Sequence, residues 1–348
     1  MSSLTNIAFH KFKKDKLGLF GFYIIAVTFL ISLFGIPFFP DSSPNANQMN
    51  IELATLSPNE SVKIMLVPTQ EKTTSFLYRV FIGKESSFKE IPIADFKNED
   101  GRFYYLPLYN PNQWIETESP HTVEDRTFWL GTDRFGRDYL SRILYGSRVS
   151  LAVGFISVII SLLIGISLGL ISGYFGGTID AVVMWLVNVV WSIPTLLMVI
   201  AISLALGKGF WQVFVAVGLT MWVEVARIVR GSVMSVRKEE YIEASKVLGF
   251  NHFRILVKHV LPNVIAPVIV ISAANFASAI LIEAGLSFLG IGAKPPIPSW
   301  GTMIKDHYSY IIMGKGYLAV FPGLAILLLV LSFMLLGNAI RDAFDVKS

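Results

Sequence analysis

Charged side chains are scarce in this 348-residue chain, 16% against 53% hydrophobic. Each cluster of them therefore raises the question of what chemistry it could do. Glu239, Glu240 and Glu243 open a wet, helix-patterned segment between two long apolar runs. Inside apolar runs stand Asn188, Glu224, Asn275 and Glu283. A carboxylate at membrane depth is a functional candidate by default, because leaving it there is costly. Glu224 precedes Arg227 by one helical turn and is read as its ion-pair partner near the inner boundary. Glu283 lies near the outer end of its run and is read as hydrated. Neither has a partner at metal-ligand or proton-relay spacing, so no metal site is expected. The chain has no cysteine, which excludes disulfides, thiolate metal sites and cysteine nucleophiles. It contains no GxxxxGK[ST] phosphate loop, so ATP hydrolysis is not its own work. A formal charge of +4, without a basic stripe interleaved with aromatics, gives no case for nucleic acid. Nothing here carries covalent chemistry, and no catalytic residue or enzyme activity is expected.

The elements that position these residues are mostly membrane spans. A bilayer-crossing helix needs about 20 mainly apolar residues. Six segments qualify: Leu17–Phe39, Leu151–Ser172, Ala181–Leu206, Trp211–Val233, Val264–Gly290 and Tyr317–Ile340. The first is read as a retained anchor, since its apolar run is too long for a signal peptide and no small-residue cleavage site follows. Lys/Arg accumulate on the cytoplasmic side of membrane proteins. Lys11, Lys13, Lys14 and Lys16, then Arg237, Lys238, Lys246, Arg254 and Lys258, and finally Arg341, put both termini and the wet segment inside. The expected fold class is an all-α polytopic membrane protein with six transmembrane helices and a small β-rich extracytoplasmic insert. The expected divisions are the N-terminus and first span (1–40), the insert (41–129), an interfacial helix (130–150) and a five-helix core (151–348) carrying a hairpin at 237–262. Within the insert, "VKIMLV", "FLYRVFIG" and "RFYYLPLY" read as strands and "NEDG" as a hairpin turn.

Local patterns refine this frame. Ser161, Gly165, Gly169 and Gly173 recur every four residues, leaving one helical face nearly bare for close approach by another helix. In the wet segment, Glu240 and Glu243 favour the dipole of a first helix. Tyr241, Ala244 and Leu248 share one of its faces. Gly249 permits a left-handed stop before Phe250, and Asn251 can cap a second helix. Phe253, Leu256, Val257 and Val260 form that helix's apolar face, and Leu261-Pro262 ends the unit. One face of this hairpin can pack on the bundle while the other is offered to a partner. In "LGTDRFGRDYLSRILYGSRVSL" (130–151), Thr132 or Asp133 can cap a helix, and Asp133–Arg137 and Asp138–Arg142 stand at i, i+4 spacing. Phe135, Tyr139 and Ile143 would share its apolar face. It reads as an interfacial helix feeding the second span, either a structural elbow or a contact for a binding protein.

Taken together, these residues resemble a family. "EASKVLG" followed by "HVLPN" is similar to the EAA signature of ABC importer permeases, carried here by Glu243, Ala244, Ser245, Gly249, Leu261 and Pro262. Ser245 stands in place of a second alanine. The 130–151 block, with Gly131, Thr132, Asp133, Gly136, Arg137, Asp138 and Arg142, strengthens the match. With "GLSFLGIGAKPPIPSWGTMI" and "GNAIRDAFD", it resembles the C-type permease subunit of dipeptide/oligopeptide importers. The resemblance covers the N-terminal anchor and 130 to the C-terminus; the insert looks longer than is usual for that family.

The resemblance implies a non-catalytic permease subunit in the cell (inner) membrane, with the hairpin as coupling helix. Its implied partners are a related permease as heterodimer, two cytoplasmic ATPase subunits or domains and an extracytoplasmic solute-binding protein. The chain itself would bind no cofactor; ATP and Mg would sit on the ATPases. Di- or oligopeptides are the implied cargo, with nickel or another small solute as the alternative. A secondary transporter would need inverted repeats and midplane coupling carboxylates, and neither is visible. A membrane-anchored sensor using its outer insert is the remaining class.

Overall fold

The computed structural model describes residues 4–69, 74–99, 102–117, 122–207 and 209–344. Two helices open the chain, α1 (Leu4–Phe12) and α2 (Lys16–Phe34). Asp15 separates them by accepting hydrogen bonds from the backbone N–H of Leu17 (2.9 Å) and Gly18 (3.1 Å). The most apolar stretch of α2 is only 17% buried. Such a surface calls for lipid or a neighbouring membrane helix to cover it.

The chain forms two compact units, one comprising residues 28–149 and 295–323 and the other the remainder. The first contains an antiparallel sheet built from β1 (Glu60–Pro68), β2 (Phe88–Glu99), β3 (Arg102–Pro107), β4 (Ile115–Thr117) and β5 (Thr122–Phe128), in the order β4-β3-β2-β1-β5. Val62 and Ile64 alternate inward from β1 and join Leu53 and Phe128 in a small core, as period-2 patterning requires. Two of the expected strands are there. The third, "FLYRVFIG", is instead a short helix, α3 (Phe76–Phe81). Pairing of β1 with β2 ends at Pro68↔Phe88. The segment therefore falls in the connection between paired strands, where no neighbouring strand is left to reward its β-propensity. Glu99 pairs with Arg102 at the expected "NEDG" turn; Asp100 and Gly101 lie outside the described residues.

The remaining helices are α4 (Tyr139–Phe175), α5 (Gly177–Trp191), α6 (Thr195–Ala205), α7 (Phe210–Val236), α8 (Glu240–Val247), α9 (His252–Ile255), α10 (Leu261–Phe288), α11 (Trp300–His307) and α12 (Tyr317–Phe344). Among the described residues, five helical stretches are long and apolar enough to cross a membrane, or up to 6 if one bent pair counts as a span. That pair corrects the expected continuous span Ala181–Leu206: α5 and α6 meet at 92° across Ser192-Ile193-Pro194. Pro194 cannot donate a helical hydrogen bond and drives Ile193 out of helical geometry. The expected interfacial helix over 130–150 is also corrected, because α4 begins at Tyr139 and runs unbroken into the membrane. Phe135 lies outside the helix that carries Tyr139 and Ile143.

In the second unit the glycine stripe of α4 lies against α7. A Cβ at Gly165 would come 2.7 Å from the Trp222 carbonyl oxygen, one at Gly169 2.7 Å from that of Ala226, and one at Gly173 2.8 Å from that of Arg230. Gly218 of α7 reciprocates against Ile160. Ser161 continues the stripe, buried, with its hydroxyl donated to the Val158 carbonyl at 2.9 Å. Asp180 at the start of α5 holds Arg230 of α7 through two contacts of 2.5 Å, a bidentate geometry that fixes both helices.

Candidate functional site

Between α7 and α10 the chain makes the expected hairpin. Glu240 and Glu243 occupy the first turn of α8 and Lys246 its last, each at the favourable end of the dipole. The helix stops in a Schellman motif: Phe250 N–H donates to the Ser245 carbonyl (3.2 Å) and Gly249 N–H to that of Lys246 (3.0 Å). Gly249 takes φ +73° to close it, a conformation that costs a residue bearing a Cβ. Asn251 caps α9, its side chain accepting from Arg254 N–H at 2.7 Å.

The second arm differs from expectation. Pro262 does not end the unit. A π-turn over Leu256–Val260 joins α9 to α10, so that one helical stretch runs from His252 to Phe288. The wider turn accommodates a proline whose ring would clash with the carbonyl four residues earlier in a regular helix. The hairpin's second arm is thus the exposed beginning of a membrane helix.

The two faces of the hairpin are sharply different. Ile242, Ile255, Leu256 and Val260 are buried in one core with Val225, Val229 and Val233 of α7 and Val264 and Val268 of α10. Ser245 is buried beside them, its hydroxyl donated to the Tyr241 carbonyl at 2.7 Å, which explains why a small polar residue is accepted there. His252 meets the Tyr174 hydroxyl at 3.0 Å, and Arg237 donates to the Tyr174 carbonyl at 2.7 Å. Outward lie Tyr241, Ala244 and Leu248, joined by Val247 at 89% exposure and Phe253 at 74%. The expected second-arm face therefore splits, with Leu256 and Val260 inside and Phe253 and Val257 outside. Val247 is the residue that periodicity alone missed. It is one position off the predicted face, and only the packing of Ile242 fixes how α8 is rotated.

The 130–151 block is a buried clamp on residues 45–57. Thr132 donates to the Leu53 carbonyl and accepts from Leu56 N–H at 2.9 Å. Asp133 binds Arg137 at 2.6 Å and approaches Arg142 at 3.6 Å. Arg137 also donates to the Asn47 side chain at 2.9 Å, and Arg142 to the Ala46 carbonyl at 3.2 Å. The expected Asp138–Arg142 pair is replaced by this shared Asp133. Asp138 is instead the residue that starts α4, accepting from Ser141 N–H at 2.7 Å, and burial pushes its carboxyl above the usual carboxylate range. Gly131 and Gly136 adopt φ +76° and +70°, with the carbonyls of Leu56 and Asn50 where a Cβ would sit. These side chains are spent on the chain itself, and of this turn only Arg134 is exposed.

The two intramembrane carboxylates also differ from expectation. Arg227 donates to Asn188 at 3.4 Å and lies 3.9 Å over the Trp191 ring. It does not pair with Glu224, which opens onto a cavity beside the α5–α6 break. Glu283 is buried rather than hydrated and accepts from the Ser287 hydroxyl at 2.6 Å. Among the described residues no group of His, Asp or Glu could hold a metal ion.

The family model for the binding-protein-dependent transport system inner membrane component covers residues 165–347. The chain belongs to that family. A second model, the N-terminal TM domain of oligopeptide transport permease C, covers residues 3–58. The glutathione transport system permease protein GsiD of Pectobacterium atrosepticum is 38% identical over 243 residues, 70% of this chain and 80% of that protein. The dipeptide transport system permease protein DppC of Alkalihalophilus pseudofirmus is 39% identical, with the same coverage. The oligopeptide transport system permease protein OppC of Bacillus subtilis is 36% identical over 69% of this chain and 77% of that protein. A solved structure of the MetNI methionine ABC transporter in an inward-facing conformation matches at TM-score 0.48 and 20% identity, covering 58% of this chain and 95% of that one. This permease is accordingly a multi-pass inner-membrane subunit of the ABC importer class, a family of typically non-catalytic membrane components. The stretch between the two family models, residues 59–164, includes the sheet and the 130–151 clamp.

Proposed function

We propose that this permease is one of two related membrane subunits of an ATP-driven importer of di- and oligopeptides, and that its α8–α9 hairpin docks into a partner ATPase. The observation that carries the proposal is the division of the hairpin between a face fused to the α7/α10 core and an exposed apolar ridge of Tyr241, Val247, Leu248 and Phe253. Fully burying a Val, Leu or Phe side chain is worth about 1.5–3 kcal/mol, so a groove covering this ridge gains substantial affinity. Because the inner face is packed on two spans, displacement of the hairpin moves α7 and α10 with it. That is the mechanical link alternating access requires. The basic residues around the hairpin and near both termini support a cytoplasmic position for all three. The insert over residues 41–129 is then extracytoplasmic, on the side from which a solute-binding protein delivers cargo. ATP and Mg belong to the ATPases. The peptide class follows the named relatives.

The test is uptake in proteoliposomes holding the complete complex. Exposed ion pairs are worth only about 0–1 kcal/mol, but a desolvated charge-assisted contact is worth about 1.5–3 kcal/mol. Glu243, exposed on the first turn of α8, is the residue to change. Glu243→Lys should strongly reduce peptide uptake and ligand-stimulated ATPase activity together, with Glu243→Gln milder and the binding protein's affinity unchanged. Lost uptake with full ATPase stimulation would locate the defect in the pore and refute the coupling role of Glu243.

A further inference from the structure

Glu224 is the only acidic residue of α7. Its side chain is exposed into a cavity of about 340 Å³ that is also lined by Thr195, Thr220 and Ser278. That volume lies in the usual range for small-ligand pockets, about 300–1,000 Å³. The cavity sits at the α5–α6 break, among residues of membrane-spanning helices. The nearest base along α7 is already engaged, because Arg227 is held by Asn188 and the Trp191 ring. The negative end of α5 and the positive end of α6 meet at the break, and their partial charges of about half a unit largely offset. What remains is the full negative charge of Glu224, with hydroxyl oxygens beside it.

We propose that this cavity is a subsite on the cargo route that recognises a primary ammonium group, the amino terminus of a peptide. An ammonium group carries three donors and no acceptor. The Glu224 carboxylate would take one as a charge-assisted bond, and the hydroxyl oxygens of Thr220 and Ser278 the others. The subsite rests on the peptide-importer reading above, and it explains why a carboxylate without an ion pair is kept at this depth. Its selectivity is for charge at one end of the cargo, so it constrains little else about peptide sequence.

The chain has no native cysteine, so Ser278→Cys in the assembled transporter provides a single thiol whose labelling is followed by mass spectrometry of this chain. A trimethylammonioethyl methanethiosulfonate should label it at least about fivefold faster than the sulfonatoethyl reagent, after correction for their rates with free thiol. Glu224→Gln should abolish that preference. A tripeptide with a free amino terminus should slow labelling, its N-acetylated form should not, and Glu224→Gln should remove the protection. Equal rates for the two reagents, labelling by neither, or protection by both tripeptides alike would overturn the subsite. Peptide uptake by proteoliposomes holding the unsubstituted complex separates the two levels of failure. Uptake there without selective protection of the thiol overturns the subsite alone, whereas no peptide uptake by the unsubstituted complex overturns the peptide reading beneath it.

Discussion

Gly169 is the position at which the helix seam is most simply put to the test. A Cβ there would lie 2.7 Å from the Ala226 carbonyl oxygen and 2.7 Å from the Val229 Cβ, about 0.7 Å inside the 3.4 Å at which ordinary contact begins. Neither obstacle can rotate away, since one is backbone and the other is fixed to it. α4 and α7 must separate, and the contacts made one turn away at Gly165 and Gly173 loosen with them. Overpacking of this kind costs about 1–3 kcal/mol, so Gly169→Ala should fall in that range and Gly169→Leu at its top or beyond. Gly231 on α7 is the internal control. A Cβ at that position meets nothing within 4 Å, so Gly231→Ala should be neutral or stabilising by up to about 1 kcal/mol through reduced backbone entropy. The assay is the thermal midpoint of the purified complex in detergent. Roughly 2–4 °C per kcal/mol is expected for chains of 150–250 residues, so Gly169→Ala should melt several degrees below wild type. If Gly169→Ala and Gly231→Ala melted together, the seam would not be the close contact described.

Gly249→Val should leave membrane insertion intact but weaken recovery of the ATPase in affinity purification. Since a Cβ at Gly249 meets no atom, the penalty is conformational alone, and Gly249→Asn, which tolerates positive φ, should restore most of it. Asp133→Ala should destabilise the fold by about 3–5 kcal/mol, because it strands the buried guanidiniums of Arg137 and Arg142; chemical denaturation of the purified chain would measure this. Burial holds the His307 imidazole below its usual range, with Met303 as its backbone partner. The unfolded chain therefore takes up this proton first as the pH falls. The stability contributed by neutral His307 is fully present above about pH 6.5 and is lost as pH falls through the lower folded value. Midpoints measured between neutral and acid pH should fall more steeply in wild type than in His307→Gln.

The spans and the hairpin were legible in sequence because each depends on local signals. Long apolar runs mark α2, α4, α7, α10 and α12, and the Gly249–Asn251 pair marks the turn between α8 and α9. What was not legible depends on neighbours distant in sequence. The face that α8 turns outward follows from Ile242 entering a core shared with α7 and α10, so Val247 escaped notice. The pairing of Glu224 with Arg227 fitted helical spacing, yet Asn188 and Trp191 from another helix take the arginine. In the 130–151 block the i, i+4 charges suggested a helix surface. In the folded chain Asp133 holds both arginines in a buried turn, because segment 45–57 supplies carbonyls that no local pattern reveals. The break before α6 was visible as Ser192-Ile193-Pro194, but hydropathy averaged over a window conceals a single proline.

The central claim, that the exposed ridge of the hairpin seats in an ATPase groove, is most directly measured by site-specific photocross-linking from Leu248 in the active complex. Leu248 is 71% exposed in this chain. A photoreactive residue at that position should cross-link in high yield to the ATPase subunit, at the same site as one placed at Val247. A residue placed at Leu163, within the apolar run of α4 and 67% exposed in this chain, should give no such product. Absence of any ATPase cross-link from Leu248 and Val247, in a complex that still hydrolyses ATP and imports solute, would contradict the account.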